Sequence, residues 1–459
     1  MFKYCKRLIV IIGIILSLLI LFLPLPNGLT IEGKRALAVF ILCISLWISH
    51  VIPLSITALL GMALIPILGI QSSADTFALF GNQAIFFILG ALIIAAALFK
   101  TGLGSRISFK LIILFGKSPK RMLMGVFVSS ALMACLMPEH AVAALMFPIV
   151  HEIAEALDLK PLKSVYGKFL FISMAWGTII GGLTTYLGGA RALLAAGLLE
   201  TNFGISIGFL EWIKYSWPIP FFMVIIYCFM ILKVFKLDLK TMNGAYEKFK
   251  NNVDIKKKLS KEERKLSFIL ILVLFAWLFL SNVIHISVTA ILGGSFIFIL
   301  RIVKWEQIED YVNWEIILMY GGAIALATTL AETSVINWIS KTFFSNIGIS
   351  SFVFLILLAL FTILLTESVS NVAAVAIVLP LAYSFAGLYD INPVIVTLTV
   401  ALNGGLAFML PMGSPPNAIA FSSGYYKIQD AILWGIVMNV IGWGVYILVL
   451  RYYWPLIGL

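Results

Sequence analysis

Apolar runs separated by short polar stretches recur along the whole chain. Most are close to the roughly 17–25 residues that an α-helix needs to cross a bilayer. The runs are 8–25, 35–50, 53–70, 79–100, 121–157, 166–198, 209–235, 267–282, 284–301, 312–340, 350–388 and 393–424. The pattern predicts an all-α polytopic membrane protein that forms one integral membrane unit over residues 1–459.

Two interruptions near the C-terminus break apolar runs instead of ending them. Ser370-Asn371 divides one run, and residues 413–417 (Gly-Ser-Pro-Pro-Asn) divide the next. Freed backbone groups at membrane depth must be satisfied inside the protein, so irregular backbone there marks a site. Paired broken helices in two halves of a chain are typical of the substrate site of a secondary transporter.

The order of features in the C-terminal part repeats an upstream order. Residues 312–340 are similar to 79–105, because each is a Gly/Ala-rich apolar run that ends in a polar turn. The broken run 121–157 corresponds to 350–388, and 166–198 corresponds to 393–424. We predict inverted repeats with two broken-helix pairs and two re-entrant hairpins. The hairpins are assigned to 79–105 and 312–340, where an ordinary span is the alternative.

This repeat divides the chain into consecutive regions. They are N-terminal scaffold spans (1–78), a first repeat (79–235), a charged connector (236–266), further scaffold spans (267–311) and a second repeat (312–454).

Composition and charge support a membrane protein and suggest its orientation. The chain is 62% hydrophobic and 12% charged, with a mean hydropathy of +1.08, whereas soluble domains are near half apolar and a quarter charged. The net charge is +11. Lys and Arg gather at the N-terminus, around 117–121 and between 233 and 265. The positive-inside rule therefore predicts that the N-terminus and the 236–266 connector are cytoplasmic. The basic residues flank spans and form no nucleic-acid-binding face.

Three ionisable residues lie where two apolar runs are interrupted. Glu139 and His140 interrupt one run, and Arg191 interrupts the next. A charged side chain at the centre of a membrane helix costs about 2.5–3.5 kcal/mol on insertion scales, so such residues indicate a functional site.

The two C-terminal motifs resemble those of the divalent anion:sodium symporter family. The resemblance rests on Ser370-Asn371 followed by Pro380, and on Leu410-Pro411-Met412-Gly413-Ser414-Pro415-Pro416-Asn417-Ala418. The segment order is similar from about residue 35 to the end. The family includes sodium-coupled dicarboxylate, citrate and sulfate transporters and sodium-independent dicarboxylate exchangers. The resemblance implies a homodimer in a bacterial or archaeal cytoplasmic membrane, with a substrate domain that slides in an elevator-like way against a scaffold.

The resemblance also implies site residues. The sodium ligands in the second half would be Thr366, Asn371 and the backbone carbonyls of Val369 and Gly413. The substrate contacts would be Ser370, Asn371, Val372, His140, Pro415 and Asn417. Val372 stands where the family has Thr, so one substrate hydroxyl is missing. Glu367 either lines the same cavity or marks the end of a span.

The first half departs from the family pattern. Pro138-Glu139-His140 stands where Ser-Asn-Thr is expected, and residues 188–192 (Gly-Gly-Ala-Arg-Ala) stand where the Pro-Pro-Asn tip is expected. We predict that Arg191, paired with Glu139, supplies as a fixed cation the charge that sodium supplies in relatives. Two alternatives stay open: the pair only holds the tip in place, or Glu139 carries a proton. His140 either donates a hydrogen bond to an anionic oxygen or satisfies an interhelical contact.

The sequence thus predicts a transporter and not an enzyme. The expected substrate is a small divalent anion, a C4-type dicarboxylate, with sulfate or a monocarboxylate as alternatives. Coupling through one Na⁺, through protons, or by exchange stays open, and no other cofactor is expected. A channel is an alternative class, because it also needs irregular backbone at the midplane. An intramembrane zinc enzyme is disfavoured, since His151-Glu152 lacks a second His four residues on from His151.

Overall fold

A computed structural model describes residues 2–116, 118–242, 246, 258–281, 283–343 and 349–459. In this described part, all regular structure is helical. The first helices are α1 (Phe2–Phe22), α2 (Ile31–Ser49), α3 (Leu54–Ile67), α4 (Ser73–Ala78), α5 (Gln83–Thr101), α6 (Leu103–Phe115), α7 (Pro119–Ala134), α8 (Glu139–Ala156), α9 (Val165–Gly181), α10 (Ala190–Phe203), α11 (Phe209–Ser216) and α12 (Pro218–Phe229).

The helices after the connector complete the fold. They are α13 (Lys261–Phe279), α14 (Ile286–Ile299), α15 (Trp314–Glu332), α16 (Val335–Phe343), α17 (Ser351–Ser368), α18 (Asn371–Leu388), α19 (Pro393–Asn403), α20 (Pro415–Ser422), α21 (Ile428–Leu448) and α22 (Trp454–Leu456). One π-helical turn extends α12 over Met230–Val234, and another joins α21 to α22 over Val449–Tyr453. Short 3₁₀ turns cover Leu79–Gly81, Trp305–Gln307 and Glu309–Tyr311.

By length and composition, four helical stretches of the described part can each cross a bilayer. They are α5, α15, α17 and the continuous stretch from α21 to α22. The bent pair formed by α11 and α12 adds a fifth stretch. The fold is therefore an all-α polytopic membrane architecture, which confirms the predicted fold class.

The segment 119–156 folds back on itself as a hairpin. Its first helix, α7, begins beside the start of α9, where the Tyr166 hydroxyl donates to the Pro119 carbonyl at 2.9 Å. Its second helix, α8, begins beside the end of α9, where Glu139 lies against Gly182. Because α7 begins where α9 begins and α8 begins where α9 ends, α7 and α8 run in opposite directions.

The segment 351–388 forms a second hairpin. Ser351, at the start of α17, donates a hydrogen bond to the Tyr389 carbonyl just beyond the end of α18. The ring of Phe354 lies 5.0 Å from the ring of Phe385. The two ends of this segment are therefore neighbours, so α17 is one arm of a hairpin although its length and composition would also allow it to cross a bilayer.

The hairpins thus lie at 119–156 and 351–388, and the assignment to 79–105 and 312–340 was wrong. Each of those two segments contains one uninterrupted helix of 19 residues, α5 or α15, long and apolar enough for the ordinary span that was the alternative. Periodicity alone does not show whether an apolar helix continues across the bilayer or folds back at a turn, because both are equally apolar.

The open ends of the two hairpins lie at opposite ends of the molecule. The Asp238 carboxylate, at the start of the connector, accepts from the backbone N–H groups that begin α9, next to the first hairpin. Lys168 of α9 pairs with Asp430 near the start of α21 at 2.6 Å. Trp443 lies about 20 Å further along α21, and it donates to the Ile356 carbonyl near the open end of the second hairpin.

Helix contacts between the two halves are reciprocal. Helix α10 of the first half contacts α18 and α19, and α20 of the second half contacts α8 and α9. Such mutual exchange is expected of two halves related by a pseudo-two-fold axis. It supports the inverted repeat, which stays a prediction.

Small residues allow the closest of these helix contacts. Gly177 and Gly181 are four residues apart on one face of α9, and a Cβ on either would lie within 2.3 Å of a backbone oxygen of α7. Those oxygens belong to Phe127 and Ala131, which are also four residues apart. In membranes, close backbone approach through small residues replaces the hydrophobic driving force between helices.

The connector is described only at its two ends. Residues 236–242, 246 and 258–266 are described, and α13 already begins at Lys261, inside the predicted connector. The rest of the predicted cytoplasmic connector, 243–245 and 247–257, lies outside the described residues.

Candidate functional site

Four helices of the two repeats begin at one central cavity of about 280 Å³. They are α8 and α18, which follow the hairpin turns, and α10 and α20, which follow the breaks after α9 and α19. The repeats contribute to its lining Pro138, Glu139, His140, Tyr186, Leu187, Gly188, Gly189, Ala190, Arg191, Leu193, Ser370, Asn371, Val372 and Pro415. The breaks predicted around 138–140, 188–192, 370–371 and 413–417 therefore meet at one place.

Most helix starts outside this site are closed by a side chain. The helices α2, α4, α5, α7, α9, α13, α15 and α17 each begin with a Ser, Thr or Asn that accepts a backbone N–H of the first turn. At the cavity, α8, α10 and α20 follow Pro138, Gly189 and Ser414, which provide no such cap. Only α18 is capped, by Ser370. Uncapped helix N-termini carry partial positive charge and free N–H donors, so they attract anions.

The two predicted ionisable residues form a buried ion pair beside the cavity. Arg191 is 2% exposed and Glu139 is 5% exposed, and Nη1 of Arg191 donates to Oε1 of Glu139. The Glu139 backbone N–H also donates to the Gly188 carbonyl at 2.9 Å. The pair therefore joins the first hairpin to the start of α10.

The Arg191 guanidinium also reaches the second half of the chain. A Cβ on Gly405, just after α19, would lie 2.2 Å from Arg191 Nε, so only glycine leaves room for the guanidinium there. Arg191 Nη2 is buried and has no hydrogen-bond partner among the described residues. A buried cationic donor that lines a cavity and lacks a partner is suited to an anionic oxygen.

Oxygen atoms of the second half converge behind Ser370. The Thr366 hydroxyl oxygen lies 2.8 Å from both Asn371 Oδ1 and the Gly404 carbonyl oxygen. A hydroxyl has one proton and cannot donate fully to both. A Cβ on Gly413 would lie 3.1 Å from the Thr366 carbonyl oxygen. The loop between α19 and α20 therefore packs against the same residue, Thr366. Closely grouped hydroxyl, amide and carbonyl oxygens suit a hard cation.

The remaining predicted sodium ligand is Val369. Its backbone is extended, with φ −130° and ψ 154°, and it separates α17 from α18. Its carbonyl is therefore not part of a regular helix. The set Thr366, Val369, Asn371 and Gly413 comes from one hairpin turn and the adjacent loop, and its oxygen donors fit a sodium ion.

Two other predicted positions lie elsewhere. Asn417 is buried outside the cavity lining, and its amide donates to the Ala407 carbonyl at 2.8 Å. The substrate contact predicted for Asn417 is therefore not part of this arrangement, because its side chain holds the loop between α19 and α20. Glu367 does not line the cavity either and is not at a span end facing solvent, since it is 2% exposed.

The opposite wall of the cavity contains residues that the sequence analysis missed. The start of α15 contributes Asn313 and Glu315, and the start of α3 contributes Leu54, whose N–H donates to Glu315 at 3.2 Å. The signal available was a polar pair between apolar runs, but it lay in a segment interpreted as a hairpin. The cavity thus lies between the hairpin turns and broken helices on one side and a wall made by α3, α5 and α15 on the other.

A second cavity, of about 360 Å³, adjoins the central one and is called here the connector-side cavity. The two share Leu92, His140 and Asn313. The connector-side cavity is also lined by residues 310–314, which follow α14. The end of α14 lies beside the first turns of α13, where Lys265 donates to the Leu300 carbonyl at 2.9 Å. His140 therefore lies between the central cavity and the connector side.

The fold and the site define an integral membrane transport protein, because irregular backbone at membrane depth surrounds a cavity that attracts anions. The family described as "Sodium:sulfate symporter transmembrane region" matches residues 3–459. The protein belongs to this family, which confirms the resemblance found in the sequence. The family consists of transporters, so the protein is a transporter and not an enzyme.

Individual relatives and solved structures agree with this assignment. The sodium-dependent dicarboxylate transporter SdcS of Staphylococcus saprophyticus is 28% identical over 97% of this chain and 91% of the relative. SdcS of Staphylococcus aureus strain USA300 is 27% identical over 97% and 92%. The Neisseria gonorrhoeae MtrF structure aligns with a TM-score of 0.60 at 14% identity, over 97% of this chain and 94% of that one. The Alcanivorax borkumensis YdaH transporter aligns at 0.52 and 12%, over 84% and 87%. At these identities the two structures are similar in fold alone.

Proposed function

We propose that the protein is a secondary active transporter of a small divalent anion, a C4-type dicarboxylate, coupled to sodium. The relatives named as sodium-dependent dicarboxylate transporters are similar over 97% of this chain. The observation that carries the proposal is the central cavity, which is lined by four helix starts and by Arg191, whose Nη2 has no hydrogen-bond partner among the described residues.

Each end of a dicarboxylate has a suitable partner in this cavity. One carboxylate accepts hydrogen bonds from Arg191 and from the uncapped start of α10. The other lies at Ser370, Asn371 and the start of α18, with His140 and Pro415 completing the lining. The cavity volume of about 280 Å³ is close to the lower limit for small-molecule sites.

Sodium is proposed only for the second half. Thr366, Val369, Asn371 and Gly413 provide its oxygens, and Arg191 takes the place of a first-half cation. Arg191 is charged under all physiological conditions, so this half has a fixed cation instead of an exchangeable one. One coupling sodium per cycle is the expected consequence.

The cavity lies between two groups of helices, which suggests how access alternates. We propose that the hairpins and broken helices move together, in an elevator-like way, against α3, α5 and α15. The protein is proposed to work as a homodimer in a bacterial or archaeal cytoplasmic membrane. Its N-terminus and connector are proposed to be cytoplasmic, as the basic residues predict.

The test is uptake of labelled succinate and sulfate into proteoliposomes. Sodium and pH gradients are imposed separately, with and without an internal counter-anion. Succinate uptake that requires inward sodium and saturates is expected. Sodium-independent uptake that requires an internal anion would indicate an exchanger and not a symporter. Non-saturating flux would indicate a channel.

A second candidate substrate class is favoured by one position. Val372 lines the cavity without a hydroxyl, and the Glu139–Arg191 pair adds no net charge. Sulfate or a monocarboxylate, with a proton carried by Glu139, is the corresponding alternative. The same assay separates it, because uptake would then follow the pH gradient and succinate would not compete.

A further inference from the structure

A buried carboxylate of the second half takes no part in the cavity lining. Glu367 is 2% exposed and follows Thr366 directly in α17. Its Oε1 accepts from the N–H groups of Phe408 and Met409 at 2.7 and 3.0 Å. Its Oε2 accepts from Met409 and Leu410 at 3.1 and 2.9 Å.

One further donor completes the environment of this carboxylate. The Asn439 amide of α21 donates to Glu367 Oε1 at 2.7 Å. All of these contacts come from N–H groups, and a carboxylate that only accepts hydrogen bonds is stabilised in its charged form. Among the described residues, no Lys, Arg or His pairs with Glu367. Within the described part of the chain, Glu367 is therefore a buried carboxylate without a cationic side-chain partner.

Glu367 anchors the loop that completes the oxygen cluster of the second half. The three N–H groups that it accepts belong to the 404–414 loop between α19 and α20. That loop starts with the Gly404 carbonyl, which lies 2.8 Å from the Thr366 hydroxyl. It ends at Gly413, whose added Cβ would lie 3.2 Å from Glu367 Cα. Holding residues 408–410 in place holds both ends of the loop against Thr366.

The first half also contains a buried carboxylate, but there a cationic side chain compensates its charge. Its buried carboxylate, Glu139, is paired with the guanidinium of Arg191. A buried charge that lacks a partner of opposite sign is costly. Glu367 has no partner comparable to Arg191 among the described residues, so a bound cation would lower that cost. The residue directly before it, Thr366, has its hydroxyl beside oxygens of Asn371 and Gly404, and this group of oxygens suits a cation.

We propose that Glu367 is a positioning residue of the coupling-cation site, which clamps the 404–414 loop and supplies the fixed negative charge that the bound sodium balances. The carboxylate does not ligate the ion. It acts through the loop and through its charge. This inference rests on the proposed sodium coupling at the second half.

The test is sodium binding by Glu367→Gln, measured without transport. Purified protein in detergent is titrated with sodium chloride at constant ionic strength, with choline as the replacing cation, and thermal unfolding is followed. The sodium concentration for half-maximal stabilisation should rise at least about tenfold, which corresponds to about 1.4 kcal/mol of binding free energy. In proteoliposomes at saturating sodium, the KM for the anion should stay close to that of the wild type.

Glu263→Gln is the matched control. Glu263 is a buried carboxylate, 4% exposed, that accepts from the Ser260 N–H at 2.7 Å and pairs with Arg106. It lies in the first turn of α13, far from the oxygen cluster in the chain and outside the cavity lining. This variant should lower the unfolding temperature without changing the sodium half-saturation. An equal sodium shift in both variants would overturn the proposal, because the effect would then be general to lost carboxylates.

A second variant covers the case in which Glu367→Gln does not fold. Asn439→Ala removes one donor but leaves the charge and the backbone contacts, so a smaller rise in sodium half-saturation is expected. If either variant folds and keeps the wild-type sodium response, the proposed role of Glu367 is wrong, but the proposed sodium coupling is unaffected. If the wild-type protein itself shows no sodium stabilisation and no sodium-dependent uptake, the proposed sodium coupling fails together with this inference.

Discussion

Arg191 and Glu139 are ionisable side chains in a region that an isolated charge enters only at high cost. Each offsets much of the desolvation cost of the other, and their hydrogen bond joins the two elements of the first half. A pair of this kind is not by itself a sign of stability, because apolar residues of similar volume often replace it without loss. Under the proposed function, the pair instead has a role toward an anion, because Arg191 lines the cavity and its Nη2 is unpaired among the described residues.

Replacing Arg191 should therefore affect stability and transport separately. Arg191→Ala leaves Glu139 as an unpaired buried charge, and a loss of about 3–5 kcal/mol of unfolding free energy is expected. The double variant Glu139→Gln/Arg191→Ala removes both charges and should recover thermal stability in detergent. Anion uptake should stay abolished in the double variant. Normal uptake there would show that the pair only holds the tip in place.

The oxygen cluster of the second half gives a second test at the same scale. Thr366→Val removes the hydroxyl that lies beside Asn371 and Gly404, and sodium half-saturation of uptake should rise by roughly tenfold. Thr362→Val is the control, because Thr362 is also buried in α17 but donates only to the Leu358 carbonyl of its own helix. An equal rise in the sodium half-saturation of the control variant would mean that the Thr366 hydroxyl is not a sodium ligand.

At the scale of elements, the site depends on how closely two loops approach. The break after α9 and the break after α19 come from different halves of the chain, yet Arg191 lies against Gly405. Each half contributes one hairpin turn and one broken helix, and each tip helix contacts the other half. The site therefore forms only when the halves associate.

Gly405→Ala tests this approach. The added Cβ would lie 2.2 Å from Arg191 Nε, and the guanidinium cannot move freely because Glu139 holds it. Loss of anion uptake and a lower unfolding temperature are expected. Gly387→Ala is the control, since nothing lies within 4 Å of its Cβ position in α18, and it should be neutral or slightly stabilising. Normal uptake by Gly405→Ala would mean that the Arg191 position does not matter.

At the scale of the whole molecule, the central cavity continues toward one end. The connector-side cavity shares His140 with it and is lined by residues 310–314 near the start of α15. The hairpin residue Ala144 is exposed there, and Val283, between α13 and α14, is exposed at the other end of α13. Under the proposed alternating access, we expect this arrangement to be a state whose site is accessible from the connector side.

Thiol accessibility measures that orientation directly. In a background without the native cysteines, Ala144→Cys should react with a membrane-impermeant reagent only when the connector side is exposed, in inside-out vesicles if that side is cytoplasmic. Val283→Cys should react only from the opposite side. Driving the transport cycle with substrate and sodium should slow the reaction at position 144. Equal reactivity at position 144 from both sides would contradict a single connector-side opening.

Several features were predictable because they depend on local chemistry. A helix loses backbone hydrogen bonds at Pro138 and at Pro415-Pro416, and the paired glycines at 188–189 disfavour it through backbone entropy, so the breaks were found near the right residues. Glu139 and Arg191 were predicted to pair because a membrane interior allows few other partners for either. The family was recognised from residues at these same breaks.

Other features needed the tertiary structure, because they depend on contacts between distant segments. The hairpin segments at 119–156 and 351–388 are as apolar as true spans, and only side-chain contacts show that they fold back. The role of Glu367 depends on three backbone N–H groups more than forty residues away. The sequence likewise did not show that the Asn417 amide donates to the Ala407 carbonyl, outside the cavity lining.

The sequence by itself determined that the chain is a helical membrane transporter with paired breaks and an intramembrane charge pair. These properties follow from hydrophobic length, from helix-breaking residues and from the cost of charge in lipid. The tertiary structure alone decided which breaks share a cavity, which helices begin there uncapped, and which buried acid has a fixed counterion. Those properties depend on the packing of two separate halves, and distance along the chain carries no information about that packing.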